Sequence, residues 1–150
     1  MTIATIGLEL MAATLFVATT SFAQPATDVK AAAAPIMKQL EAFRRDDYDT
    51  AYTFAAADIK DMFDRTAFER MVRSGYPEIA RSTFALIAHT EVAPDGHVHI
   101  RVRIRGANGN SIEAVYDMVQ EAGGWRINGV ATRPDPGLVL TPFPSGERAG

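Results

Sequence analysis

Apolar residues recur every three to four positions through the first half of the chain and every second position through the rest. Over residues 24–80 the spacing predicts helices. Ile36, Leu40 and Phe43 form the first stripe, with Lys38, Gln39, Glu41, Arg44 and Arg45 on the opposite face. Thr27 or Asp28 is the expected cap of that helix, and Pro35 predicts a kink or a restart within it. Asp46 and Asp47 interrupt the pattern and cap a second turn striped by Tyr48, Ala51, Tyr52 and Ala55. A third piece starts at Asp58 and carries Ile59, Met62 and Phe63. Thr66-Ala67-Phe68-Glu69 reads as a capping box for a last helix that faces Phe68, Met71 and Val72 inward and stops at Gly75.

From Arg81 the period is two, which predicts four antiparallel strands: Arg81–Val92, His97–Arg105, Ser111–Gln120 and Trp125–Arg133. Turns fall at Pro94-Asp95-Gly96, Ala107-Asn108-Gly109 and Ala122-Gly123. A two-residue Asn-Gly turn would set Arg103 opposite Ala114, so matching of faces favours a three-residue loop with Gly109 left-handed. The register then pairs Val92 with Val98, Ala88 with Val102, Ile104 with Ile112, Met118 with Ile127 and Tyr116 with Gly129. On this register Phe84, Leu86, Ala88 and Thr90 line the inner face with the apolar positions of the next two strands and with Trp125, Ile127, Gly129 and Ala131. The outer face carries a row of Glu91, His99, Asp117 and Asn128 and another of Ile87, Arg103, Glu113 and Thr132. The fold class expected is α+β, with N-terminal helices packed on one face of a curved antiparallel sheet of about four strands.

Residues 1–23 are set apart from this pattern. They hold Glu9 as their one charge, two apolar stretches, and Ser21-Phe22-Ala23 with small residues where a signal peptidase cuts. The domain organisation expected is a signal peptide over 1–23 cleaved after Ala23, a domain over 24–133 and an irregular Pro/Gly-rich tail over 134–150. Periplasmic or secreted localisation follows. The apolar run after Glu9 is shorter than the ~20 residues a span requires, so no stable membrane anchor is expected after cleavage.

Composition narrows the chemistry. The chain has 150 residues, 47% hydrophobic, with net charge −3 and no Cys. The charge argues against a nucleic-acid partner. Absence of Cys removes disulfides, thiolate metal sites and cysteine nucleophiles, and no phosphate loop, nucleophile elbow or zinc-protease signature occurs.

Several packing motifs carry a resemblance. Gln39-Leu40-Glu41-Ala42-Phe43-Arg44-Arg45-Asp46-Asp47, followed by Ala51-Tyr52-Thr53-Phe54-Ala55, resembles the opening helices of the nuclear transport factor 2-like superfamily, the cystatin-like (SnoaL-like) cone. With Phe68-Glu69-Arg70-Met71-Val72 and Tyr76-Pro77, the chain more closely resembles the bacterial domain of unknown function 4864. The segment Gly124–Val130 is similar to the last strand of such domains, and the likeness spans about residues 29–133. It implies a pocket between the helices and the concave sheet. Relatives range from isomerases, cyclases and dehydratases to binding and dimerisation modules, so function rests on the pocket residues.

For a ligand pocket the candidates are Tyr48, Tyr52, Tyr76, Thr90, Tyr116 and Trp125. An isomerase-like site needs a carboxylate base beside a tyrosine donor. The inner strand face offers none, and Asp46, Asp47 and Asp49 are accounted for by caps and turns. His97-Val98-His99 points two imidazoles the same way, with Asp117 as a third candidate metal ligand and Asp95 or Glu91 nearby. Arg101, Arg103 and Arg105 form an anion-gripping row unless neutralised, Arg103 by Glu113. The function expected is an exported module that binds a small hydrophobic molecule or serves as an accessory, dimerising through the sheet face and using no cofactor. The alternatives are a cofactor-independent isomerase, cyclase or dehydratase, and a metal-binding domain through His97 and His99.

Overall fold

The stripe of Ala32, Ile36, Leu40 and Phe43 is fully buried along α1 (Pro25–Arg44), the helix against which the rest of the fold packs. The computed structural model describes residues 25–135 and Gly137; the expected signal peptide and most of the expected tail lie outside them. α1 begins at Pro25, so Thr27 and Asp28 fall within its first turn and do not cap it. Proline suits that turn, where its missing N–H has no helical partner to lose. Pro35 does not restart the helix. It is buried within an unbroken α1, where packing outweighs the lost hydrogen bond.

Asp46 adopts a left-handed φ of 57° and turns the chain out of α1. Asp47 then caps α2 (Tyr48–Thr53), its Oδ1 accepting from the Thr50 N–H at 3.0 Å. α3 (Ala57–Met62) follows, then α4 (Arg65–Gly75) and α5 (Pro77–Ala80). The cap of α4 is Asp64, which accepts from the Ala67 N–H at 2.7 Å, and not the expected Thr66 box. An aspartate two residues upstream supplies the acceptor, and Glu69 instead bridges Arg65 and Arg73 along the helix surface.

The strands are β1 (Ser82–Val92), β2 (Val98–Gly106), β3 (Ser111–Glu121) and β4 (Gly124–Pro134). They form one antiparallel sheet in chain order, with the helices on one face. This is the expected α+β architecture. The β2–β3 register is the one face-matching demands, with Ile104 opposite Ile112, Ile100 opposite Tyr116 and Gly109 left-handed at φ 84°.

The outer strand pairs depart from expectation through three register shifts, two along β1 (Ser82/Phe84 and Ile87/His89) and one between β3 and β4. In β1 the register shifts between Ile87 and His89, so Ile87 faces Val102 and Ala85 faces Ile104. Phe84 and Leu86 therefore sit on the outer face, 46% and 50% exposed, opposite Arg105 and Arg103. Phe84-Ala85-Leu86-Ile87 is apolar at both parities, so alternation alone does not choose its face. In the β3–β4 pair, Met118 meets Ile127 as expected, but a shift beyond it sets Asp117 opposite Gly129 and Tyr116 opposite Val130. Val130 thus takes the inward position expected of Gly129, and Arg133 rather than Thr132 stands opposite Glu113. Among the described residues no helix is long and apolar enough to cross a membrane.

Candidate ligand cavity

Two hydrogen bonds fix the segment that closes one end of the core. The Ile127 N–H donates to the Phe54 carbonyl oxygen and the Ala56 N–H donates back to that of Ile127, each at 2.8 Å. The α2–α3 connection is thereby fastened to the free edge of β4. The Tyr52 hydroxyl donates to the Phe63 carbonyl oxygen at 2.7 Å and holds the end of α3 against α2. These ties leave a space between α1, α3, α4 and the β3–β4 strands with a volume of about 230 Å³.

Buried Gln39, Phe43, Phe68, Val72, Ile79, Tyr116 and Ile127 form its floor, and half-buried Ile59, Phe63, Met71, Tyr76 and Val130 ring its opening. Among the described residues no Asp, Glu, His, Lys or Arg is in the wall. Its side-chain polarity is limited to one amide and two phenols. Gln39 donates its Nε2 to the Ala51 carbonyl oxygen at 3.1 Å. The Tyr76 hydroxyl reaches the Val130 carbonyl oxygen at 3.5 Å. The Tyr116 hydroxyl is buried and has no partner among the described residues. Burial pushes its pKa well above the ordinary phenol range, so it stays protonated.

Of the six pocket candidates, the structure brings Tyr76 and Tyr116 together in this wall. Tyr48 is buried elsewhere, beside Phe43 at 5.2 Å, with the Arg73 guanidinium 4.4 Å from its ring centre. Desolvation raises its pKa, and its hydroxyl is also unpartnered. Tyr52 serves the tie to Phe63. Thr90 lies on β1 opposite Ile100, and Trp125 is the second residue of β4, opposite Gln120. The carboxylates considered as a base lie outside the wall as well: Asp46 pairs with Arg73 and Arg81, Asp47 caps α2, and Asp49 pairs with Arg65.

His97, His99 and Asp117 do meet, on the opposite face of the sheet. His97 Nδ1 donates to Asp117 Oδ1 at 2.8 Å, and His99 Nε2 lies 3.6 Å from the same oxygen. Asn128 Nδ2 donates to Asp117 Oδ2 at 2.8 Å, so both carboxylate oxygens are engaged. The bond to Asp117 raises the His97 pKa above 6.5. Among the described residues no group of three or more His, Asp or Glu is arranged to hold a metal ion.

Two arginines of the row, Arg101 and Arg103, are neutralised, and Arg103 by a partner other than the one expected. Arg103 grips Asp135 with two hydrogen bonds, at 2.6 and 3.3 Å, while Glu113 pairs with Arg101 and Arg133. The strand bulge moves Arg133 opposite Glu113, and Asp135 follows it to Arg103.

Gln39 is the wall residue that reading by polarity assigns to solvent. Its position tells otherwise: it lies three residues after Ile36 and four before Phe43, on the same helical stripe. The family model described as Domain of unknown function (DUF4864) matches residues 25–139. No curated protein matches the chain.

Proposed function

The chain belongs to the DUF4864 family, and from the cavity we propose that it is an exported, non-catalytic module that binds a small hydrophobic molecule. One observation carries this reading: a solvent-open apolar cavity whose wall, among the described residues, holds no acid or base. Ligand sites are concave and mostly apolar, with a few polar groups that fix orientation. Gln39 and Tyr76 are such groups. Isomerase-type chemistry asks for a carboxylate or imidazole at the reacting carbon, and the candidate carboxylates are spent on caps and ion pairs. Metal binding through His97 and His99 is the weaker reading, because Asn128 and His97 occupy the carboxylate that would be the third ligand.

The placement of the cavity between helices and sheet also supports reading the fold as a nuclear transport factor 2-like cone. Export rests on residues 1–23. Intact mass of the protein recovered from a periplasmic fraction tests it, with a chain starting at Gln24 expected and an unprocessed chain there counting against it.

Binding is tested by filling the cavity. Val130→Phe places a larger ring at its opening. Titration of wild type with small neutral aromatic molecules should give saturable chemical-shift changes at Met71, Tyr76 and Ile127. The variant should lose them while keeping its fold. Equal responses in both proteins would overturn the reading.

A further inference from the structure

Apart from the sealed Tyr116 hydroxyl, the described cavity wall has two polar side chains, and each spends a donor on the backbone. Gln39 Nε2 donates to the Ala51 carbonyl oxygen at 3.1 Å, and the Tyr76 hydroxyl donates to that of Val130 at 3.5 Å. A carbonyl oxygen accepts and cannot donate, so the amide atom facing Ala51 is the nitrogen and the atom left over is Gln39 Oε1. That oxygen has no hydrogen bond among the described residues. It is nonetheless not one of the buried oxygens sealed without a partner, which are Tyr48 Oη, Ser82 Oγ and Tyr116 Oη. It therefore borders open space, and Gln39, 5% exposed, lines the cavity.

We infer that the occupant of this cavity is a neutral, largely apolar molecule that presents one hydrogen-bond donor, a hydroxyl or a ring N–H, to Gln39 Oε1. This rests on the cavity-binding reading above and specifies its ligand.

Polarity, charge and size set the class. A buried amide oxygen without a donor lacks the bond that water would give it, so a donor on the occupant gains what an acceptor does not. Tyr76 favours the same chemistry: with its O–H spent on Val130, its oxygen keeps acceptor capacity at the opening. Among the described residues the wall has no anion to compensate an ammonium donor and no cation to hold a carboxylate or phosphate. A charged occupant would lose its hydration without replacement. An apolar cavity of about 150 Å³ accommodates benzene, so about 230 Å³ suits a molecule of roughly nine or ten non-hydrogen atoms by the same measure. Phe68, Val72 and Ile127 supply apolar contact for the remainder of the molecule.

Three neutral bicyclic probes of matched shape separate these effects: indole donates through its N–H, benzofuran carries an oxygen acceptor in that place, and indene has neither. Benzylammonium donates but carries a charge. Titration of wild type by NMR at neutral pH should show indole about fivefold tighter than benzofuran or indene, the scale of one net hydrogen bond, with benzylammonium weakest. Gln39→Leu keeps most of the side-chain volume and removes the acceptor, and it should erase the preference for indole. Tyr76→Phe should keep that preference. In the wild type itself, the Gln39 side-chain carbonyl carbon should shift more with indole than with indene. A preference for indole that survives in Gln39→Leu, or that is lost in Tyr76→Phe alone, overturns the assignment to Gln39. If Gln39→Leu does not fold, the wild-type carbon decides, and an equal response to indole and indene overturns the assignment. Equal binding of the three neutral probes to wild type, or any probe other than indole as the tightest, overturns the donor requirement while leaving the cavity as a binding site. Failure of all three neutral probes to bind wild type overturns the cavity-binding reading itself.

Discussion

Gln39 on α1 donates its side-chain amide to the carbonyl oxygen of Ala51 on α2, at 3.1 Å and with the glutamine 95% removed from solvent. The bond joins two helices whose remaining contact is apolar. Gln39→Ala should lower unfolding free energy by about 2 kcal/mol, from a lost buried hydrogen bond and the space left behind. Gln39→Leu should cost less, since the Phe54 N–H still contacts the Ala51 oxygen. Urea unfolding of the two variants measures the difference, and equal costs would mean that the hydrogen bond, with no contribution from filled volume, carries the whole effect.

Tyr48 gives the opposite expectation for a polar atom in the core. Its ring is fully packed beneath Arg73 and beside Phe43, yet its hydroxyl has no partner. Tyr48→Phe keeps the ring and the cation–π contact and removes only an unpaired oxygen, so stability should hold or rise by up to about 1 kcal/mol. Tyr48→Ala should cost about 3–5 kcal/mol, as for other buried aromatic truncations. Thermal unfolding of both variants is sufficient to check this.

These two residues also show what was legible in the letters. The helical stripe, the β2–β3 register and the left-handed Gly109 follow from periodicity, because there burial and alternation agree. Gln39 was hidden by its polarity even though its spacing was that of the stripe. β1 failed for another reason: Phe84 to Ile87 is apolar at both parities, and a bulge chose the face. The Asp117–Met118 shift likewise leaves no mark in period two, yet it brings Val130 into the cavity rim. The cavity itself arises from α3 and α4 packing across β4, a long-range arrangement that no local pattern encodes.

On the outer face, the His97–Asp117 bond makes stability depend on pH. The bond raises the folded-state pKa of His97 above its ordinary 6.5. Its contribution is therefore fully present below pH 6.5 and is lost as pH rises through the raised value. Asp117→Asn should return the His97 titration toward its ordinary range and flatten the stability profile across that window. NMR titration of the imidazole resonances in both proteins decides it; an unchanged His97 midpoint in the variant would contradict the assignment.

The dimer expected from the sequence is tested on this same face. Phe84 and Leu86 are half-exposed on edge strand β1, on the outer side of the sheet. Exposed apolar pairs on a sheet edge invite association, and an isologous contact would let each copy cover the other's pair. Arg105 stands opposite Phe84 and Arg103 opposite Leu86. A combined Phe84→Glu, Leu86→Glu variant thus gains cross-strand partners of opposite charge, which protects the fold while destroying the apolar surface. Sedimentation should show wild type associating at micromolar to millimolar concentration and the variant monomeric, with melting temperatures within a few degrees of each other. A monomeric wild type would remove the dimer from the account, and a dimeric variant would move the contact away from β1.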